Sequence, residues 1–140
     1  MKRKQKRSDI EWFDAPEIKD DIFHILETLD LPHINGKSLT CYRTTGSVSR
    51  SYARIWSMPK IFQRALAIEP HYVIEVLSQY YDSLDHDEQI KVLIHELLHI
   101  PKNFSGALVP HKTKTRSIGH MTNTLFKEYK KRHSVDPLEW

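Results

Sequence analysis

Two histidines and a glutamate in the run His95-Glu96-Leu97-Leu98-His99 have the types and spacing needed to hold a metal ion and move a proton. Residues four apart lie on the same face of an α-helix, so His95 and His99 can direct both imidazoles at one ion. Glu96 lies beside them, where its carboxylate can take a proton from a water that the ion activates. The run therefore predicts a hydrolytic metal site, on condition that it lies on a helix.

The flanking residues predict that helix. Asp85 suits the N-cap position, and Glu88 follows three residues later, as in a capping box. Pro101 disfavours helical backbone at Ile100, so the helix is predicted to end one residue after His99. Apolar residues recur on one face between these signals, which places the histidines at the edge of a core: Ile90, Leu93, Ile94, Leu97 and Leu98.

A catalytic zinc site needs a third protein ligand, and the spacing alone leaves three candidates. No His, Asp or Glu occurs between His99 and His111, so His111 is the first candidate after the helix. His120 follows nine residues later, and Glu128 lies in the last predicted helix. The polar residues close enough in sequence to stabilise a developing oxyanion are His120, Arg116 and Tyr129.

Longer runs around the candidate ligands resemble a known protein family. Residues 92–101 read VLIHELLHIP and residues 104–111 read FSGALVPH, a combination far more specific than the five-residue motif. The same resemblance extends to shorter runs at residues 46–50, 53–56, 59–62, 72–77 and 87–89. Together they cover roughly residues 40–130. They resemble a family of predicted zincin-like metallopeptidases from archaea, bacteria and phages, of SprT-like or minigluzincin-like type.

The resemblance implies a zinc peptidase acting on a peptide or protein substrate. It implies that His95, His99 and His111 are the Zn²⁺ ligands and that Glu96 is the catalytic base. It also implies an α+β fold with a zincin-like core, in which a small antiparallel or mixed sheet packs with helices that include the HExxH metal helix.

The hydrophobic pattern predicts the elements that must position this site, in the order α-β-β-β-α-loop-α. Residues 61–67 fit either a short helix or a third strand. The strands predicted on either side of Gly46-Ser47 are joined through that pair. The other elements are a helix that opens at residues 14–16 and reaches Leu29, strands at residues 39–44, 52–56 and 71–77, and a last helix at about residues 120–132.

Composition fits one cytoplasmic domain, predicted at residues 10–133 between a basic disordered tail at 1–9 and a C-terminal tail at 134–140. The chain has 140 residues, of which 39% are hydrophobic and 28% charged, as in ordinary globular proteins. No apolar run approaches the ~20 residues of a membrane span, and no apolar segment follows the basic start as in a secretory signal. Cys41 is the single cysteine, which excludes an intramolecular disulfide and favours a core role.

Basic charge is concentrated in two segments. Residues 1–7 carry a net charge of +5, and residues 102–133 carry +7. The favoured interpretation is a solvated disordered tail and an exposed face of the last helix. Contact with nucleic acid is less favoured, and aromatic residues do not interleave with these clusters. The alternative function is a catalytically weak zincin-fold module that binds a protein or nucleic-acid partner. Glu96 argues against it, since a structural zinc site needs no adjacent base. The sequence does not indicate an oligomeric state.

Overall fold

Four strands and five α-helices follow one another along residues 9–133, the part of the chain that the computed structural model describes. The fold is α+β, as predicted, and the two predicted tails lie outside the described residues except for Asp9. A 3-10 turn at Gly36–Ser38 precedes the second strand. In chain order the elements are β1 (Glu11–Asp14), α1 (Pro16–Thr28), β2 (Leu39–Thr45), β3 (Ala53–Trp56), α2 (Lys60–Leu66), β4 (Tyr72–Leu77), α3 (Ser78–Tyr81), α4 (His86–Leu97) and α5 (Ile118–His133).

The strands form one small mixed sheet in the order β1-β2-β4-β3. β2 and β4 run parallel, with Cys41 opposite Ile74, and the outer strands β1 and β3 are each antiparallel to their neighbour. The segment with Gly46-Ser47 joins β2 to β3 in sequence, but β4 lies between these strands in the sheet. β3 is therefore an edge strand, and α4 packs against it.

Three elements, β1, α2 and α3, are absent from the predicted order. All four residues of β1 are exposed, so this strand lacks the alternation of buried and exposed residues by which a strand is recognised. The segment at residues 61–67, which fits a helix or a strand, forms α2. The last helix begins at Ile118, two residues before the predicted start.

The hydrophobic core lies between one face of the sheet and the helices α1, α4 and α5. Ile18, Ile22 and Ile25 of α1 are buried there, together with Ile94 of α4. Each such side chain stabilises the fold by about 1.5–3 kcal/mol relative to an exposed position. Cys41 also lies in the core, and burial raises the pKa of its thiol to about 11. This thiol stays protonated and acts as a core side chain, as expected.

A buried carboxylate fixes the edge strands from the opposite face of the sheet. Glu75 of β4 is only 1% exposed. It accepts hydrogen bonds from Thr44 Oγ1 at 2.6 Å, Trp12 Nε1 at 3.2 Å and Trp56 Nε1 at 2.8 Å. It also pairs with Arg54. Glu75 thus ties all four strands together and holds β3 at a defined position beside α4.

Candidate metal centre

α4 begins at the capping signal that the sequence predicts. The Asp85 side chain accepts a hydrogen bond from the backbone N–H of Glu88 at 2.8 Å. A cap of this kind stabilises a helix by about 1 kcal/mol. Asp87 in the first turn pairs with Lys130 of α5 at 3.2 Å, which joins the two helices that border the site.

The end of α4 differs from the prediction. Its last residue is Leu97 and not Ile100. The next turn is of the tighter 3-10 type, since the His99 N–H bonds to the Glu96 carbonyl and the Ile100 N–H to the Leu97 carbonyl, both at 3.1 Å. Pro101 has no N–H to continue the α-helical pattern, so the Leu97 carbonyl bonds to Ile100 instead. His99 is therefore held in a turn just beyond the helix.

Three histidines converge at this helix end. The ring centroids of His95 and His99 lie 5.2 Å apart, those of His95 and His111 5.1 Å apart, and those of His99 and His111 4.4 Å apart. One ring nitrogen from each residue lies within 4.8 Å of the others. His99 is buried, His95 is half-buried and His111 is exposed. The trio forms a partly open cluster that could hold a metal ion.

Hydrogen bonding fixes the orientation of His99. Its Nδ1 lies 2.6 Å from the carbonyl oxygen of Val109, and the Val109 N–H in turn donates to the His99 carbonyl at 2.7 Å. A carbonyl oxygen only accepts, so Nδ1 must carry the proton. In the neutral ring the Nε2 lone pair is then available, which is the usual arrangement of a metal-binding histidine.

The surroundings also favour neutral imidazoles. Burial lowers the pKa of His95, and the neighbouring rings of His99 and His111 add to this effect. Burial likewise lowers the pKa of His99, although its bond to Val109 acts in the opposite direction. Neutral imidazole is the form that binds metals, so both side chains are held in the form that coordination requires.

The loop that brings His111 back to the helix end is anchored by residues distant in sequence. The buried Tyr72 hydroxyl accepts a hydrogen bond from the Gly106 N–H and donates to the Ala107 carbonyl, both at 2.8 Å. Gln63 Nε2 donates to the Ser105 carbonyl at 2.8 Å. These bonds fasten the loop to β4 and α2 and so determine where it ends.

His111 is also fixed from the side of α5. Ile118 is the first residue of that helix, and its N–H donates a hydrogen bond to the His111 carbonyl at 3.0 Å. A β-bridge between Lys112 and Ser117 closes the short connection. The loop with its third histidine is therefore held at both ends.

Replacing Gly106 with alanine is expected to disturb this loop. Gly106 has φ +92°, and an added Cβ would come 2.4 Å from the Met58 carbonyl oxygen. The unfolding free energy should fall by about 1–3 kcal/mol, measured by chemical denaturation. Gly119 is the matched control, because its added Cβ meets nothing closer than 3.9 Å and it lies in α5. Gly119→Ala should leave stability unchanged or raise it by up to ~1 kcal/mol; equal losses in both variants would contradict this account.

Glu96 lies in the same cleft as the three histidines and is buried, at 9% exposure. Burial raises the pKa of its carboxyl group to about 7, although a hydrogen bond from the Ile55 backbone opposes this. The cleft has a volume of about 720 Å³ and runs between β3, α4 and α5. A carboxyl group in this environment can both accept and release a proton near neutral pH.

The other two candidate ligands lie away from the three histidines. His120 lines a separate cavity that does not include His95, His99 or His111. Glu128 pairs with Arg132 on the exposed surface of α5, at 2.8 Å. Spacing left three candidates for the third ligand. Of these, the structure brings only His111 close to His95 and His99.

The predicted oxyanion candidates are also elsewhere. Arg116 lines the same separate cavity as His120, and the Tyr129 hydroxyl lies 2.8 Å from His24 Nδ1. Instead, Tyr52 and Asn123 contribute polar side chains to the wall of the cleft that contains Glu96 and the three histidines, referred to below as the metal cleft. Neither residue lies in a motif that indicates chemistry, since Tyr52 falls in a predicted strand and Asn123 in the last predicted helix.

Comparison with known proteins agrees with a metal-dependent hydrolase. The family described as "Putative phage metallopeptidase" matches residues 10–130, which include the three histidines and Glu96. Neither the curated proteins nor the solved structures gave a match. In the described part of the chain, no helix is long and apolar enough to cross a membrane. The match spans most of the chain, which therefore belongs to this phage metallopeptidase family.

Proposed function

We propose that the protein is a zinc-dependent peptidase in which His95, His99 and His111 hold the metal and Glu96 is the general base. The observation that carries this proposal is the meeting of three imidazoles beside a buried carboxyl group in one cleft. Membership of a metallopeptidase family supports the reaction class.

The ligand set fits zinc. Tetrahedral Zn²⁺ with Zn–N bonds of about 2.0–2.1 Å holds its nitrogens roughly 3.4 Å apart. The three ring nitrogens lie within 4.8 Å of one another, close enough to serve as ligands of one ion. Three histidines leave a fourth position open, as catalytic zinc sites do. The bond from His99 to Val109 supplies the outer support that such ligands usually have.

Glu96 supplies the proton transfers. Zinc bound by the histidines would lower the pKa of water to about 7 and polarise the scissile carbonyl. The Glu96 carboxylate takes the proton of the attacking water and then delivers it to the leaving amine. The Ile55 backbone bonds to the Glu96 carboxyl group, and both residues line the cleft.

The position of β3 suits an extended polypeptide substrate. β3 is an edge strand, and residues 53–55 line the cleft together with the histidines. An extended peptide can add to such an edge by backbone hydrogen bonds, which gives affinity without a fixed sequence. This arrangement favours peptide hydrolysis over hydrolysis of a small amide.

Three finer assignments accompany this proposal. The core is zincin-like, of SprT-like or minigluzincin-like type, with the HExxH run at the end of α4. Residues 10–133 form a single domain, and the protein acts in the cytoplasm. The convergence of α1, α4 and α5 on one sheet supports the single domain, while the cytoplasmic location rests on the sequence alone.

A cleavage screen tests the proposal. The full chain is incubated with a denatured proteome, and new peptide termini are identified by mass spectrometry. Cleavage should stop when 1,10-phenanthroline removes the metal and should return when zinc is added back. Folded, zinc-loaded protein that cleaves nothing would favour the alternative, a binding module of the same fold.

A further inference from the structure

A second cavity lies on a different face of α5 and shares no lining residue with the metal cleft. It has a volume of about 790 Å³ and is bordered by residues 30–33, the turn after α4 and the first turns of α5. Cavities of this size typically accommodate a small ligand. Its floor is apolar and consists of Leu31, Leu98, Ile100, Met121 and Leu125.

Basic side chains surround this apolar floor. Lys102, Arg116, His33 and His120 line the cavity, against one acidic residue, Asp30. Burial lowers the pKa of His33, a hydrogen bond with the Ile100 backbone opposes this, and the charges of Lys102 and Arg116 lower the pKa further. Among residues 9–133, no carboxylate forms an ion pair with Lys102 or Arg116. Converging cations without a protein counter-ion are typical of an anion site.

The contacts of Arg116 orient it toward a ligand. Its Nε donates to the Met121 sulfur at 3.2 Å, which lays the guanidinium against the apolar floor. A thioether is a weak acceptor, and this contact uses only one of the five N–H donors of the group. Within the described residues the terminal nitrogens of Arg116 have no other hydrogen-bond partner, so they can bind an anion as a fork.

We propose that this cavity binds a small amphipathic carboxylate, with its apolar chain on the floor and its head group paired with Arg116 and Lys102. A guanidinium matches a carboxylate through two parallel hydrogen bonds. Asp30 also lines the cavity, and its negative charge repels a doubly charged head group such as a phosphate monoester more strongly than a singly charged carboxylate. The proposal concerns a site apart from the metal cleft and does not depend on hydrolytic activity.

Titration of the zinc-loaded full chain with sodium decanoate tests this site. Calorimetry should give saturable binding of one decanoate per chain. 1-Decanol, which has the same chain length without the charge, should bind at least ~10-fold more weakly, since charge-assisted hydrogen bonds are lost. The double variant Lys102→Gln/Arg116→Gln should also bind decanoate at least ~10-fold more weakly.

A matched control separates this site from general adsorption. Arg64 lies on α2, beside the exposed apolar residues Ile61 and Phe62 and outside the cavity. Arg64→Gln should bind decanoate as the wild type does. Unchanged affinity in the double variant would assign decanoate to the metal or to another surface and overturn the proposal. Equal affinity for decanol, or the absence of saturable binding, would overturn it too. Circular dichroism verifies that each variant is folded.

Discussion

Glu96→Gln is expected to reduce peptide hydrolysis by at least ~10²-fold, the usual contribution of a positioned general base. Glutamine keeps the size of the side chain but cannot accept the proton of the attacking water. Because Glu96 lies beside the proposed ligands and is not one of the three converging histidines, zinc content and fold should not change. Steady-state kinetics on a peptide from the cleavage screen, together with metal analysis of the same sample, measure both effects.

The control for this variant is Glu27→Gln, the same change at an exposed position of α1. Its activity should equal that of the wild type. His95→Ala and His99→Ala should differ from Glu96→Gln by losing zinc and activity together. If Glu96→Gln keeps full activity, Glu96 is not the base; if it loses zinc, its role is structural.

The second large effect concerns the third ligand. His111→Ala should weaken zinc binding by more than the 10–100-fold that is typical for loss of an outer-shell partner, because the change removes a proposed direct ligand. Competition with a chromophoric chelator measures the affinity. Both His111 and the control residue His120 are exposed, so neither change should unfold the protein.

His120→Ala should bind zinc nearly as the wild type does, since His120 lines the second cavity and not the metal cleft. The two variants therefore separate the candidates that the spacing of histidines leaves open. A larger loss of affinity in His120→Ala than in His111→Ala would contradict the proposed ligand set.

The features that were predictable from the sequence depend on residues that lie close together along the chain. Asp85 caps α4 through a bond to a residue three positions away, and the apolar face of α1 follows helical periodicity. Local rules failed at the other end of α4. The proline rule predicts a helix up to Ile100, whereas the missing N–H of Pro101 changes the hydrogen bonds from Leu97 onward.

The sheet order and the return of the loop depend on distant contacts. β4 inserts between β2 and β3 although it follows both in sequence, and no local pattern encodes this pairing. Spacing alone could not choose His111, because the loop is fixed by Tyr72 and Gln63, which lie 35 and 42 residues from their partners Ala107 and Ser105. The family resemblance implied that His111 is the third ligand, and the structure brings this residue close to His95 and His99.

Metal analysis of the purified protein tests the central claim most directly. Full-length protein, prepared without chelator and verified as folded by circular dichroism, should contain one zinc per chain by mass spectrometry. His95→Ala prepared in parallel should contain far less, since it lacks one of the three converging imidazoles. Folded wild-type protein that holds far less than one equivalent, even after incubation with zinc, would contradict the metallopeptidase account.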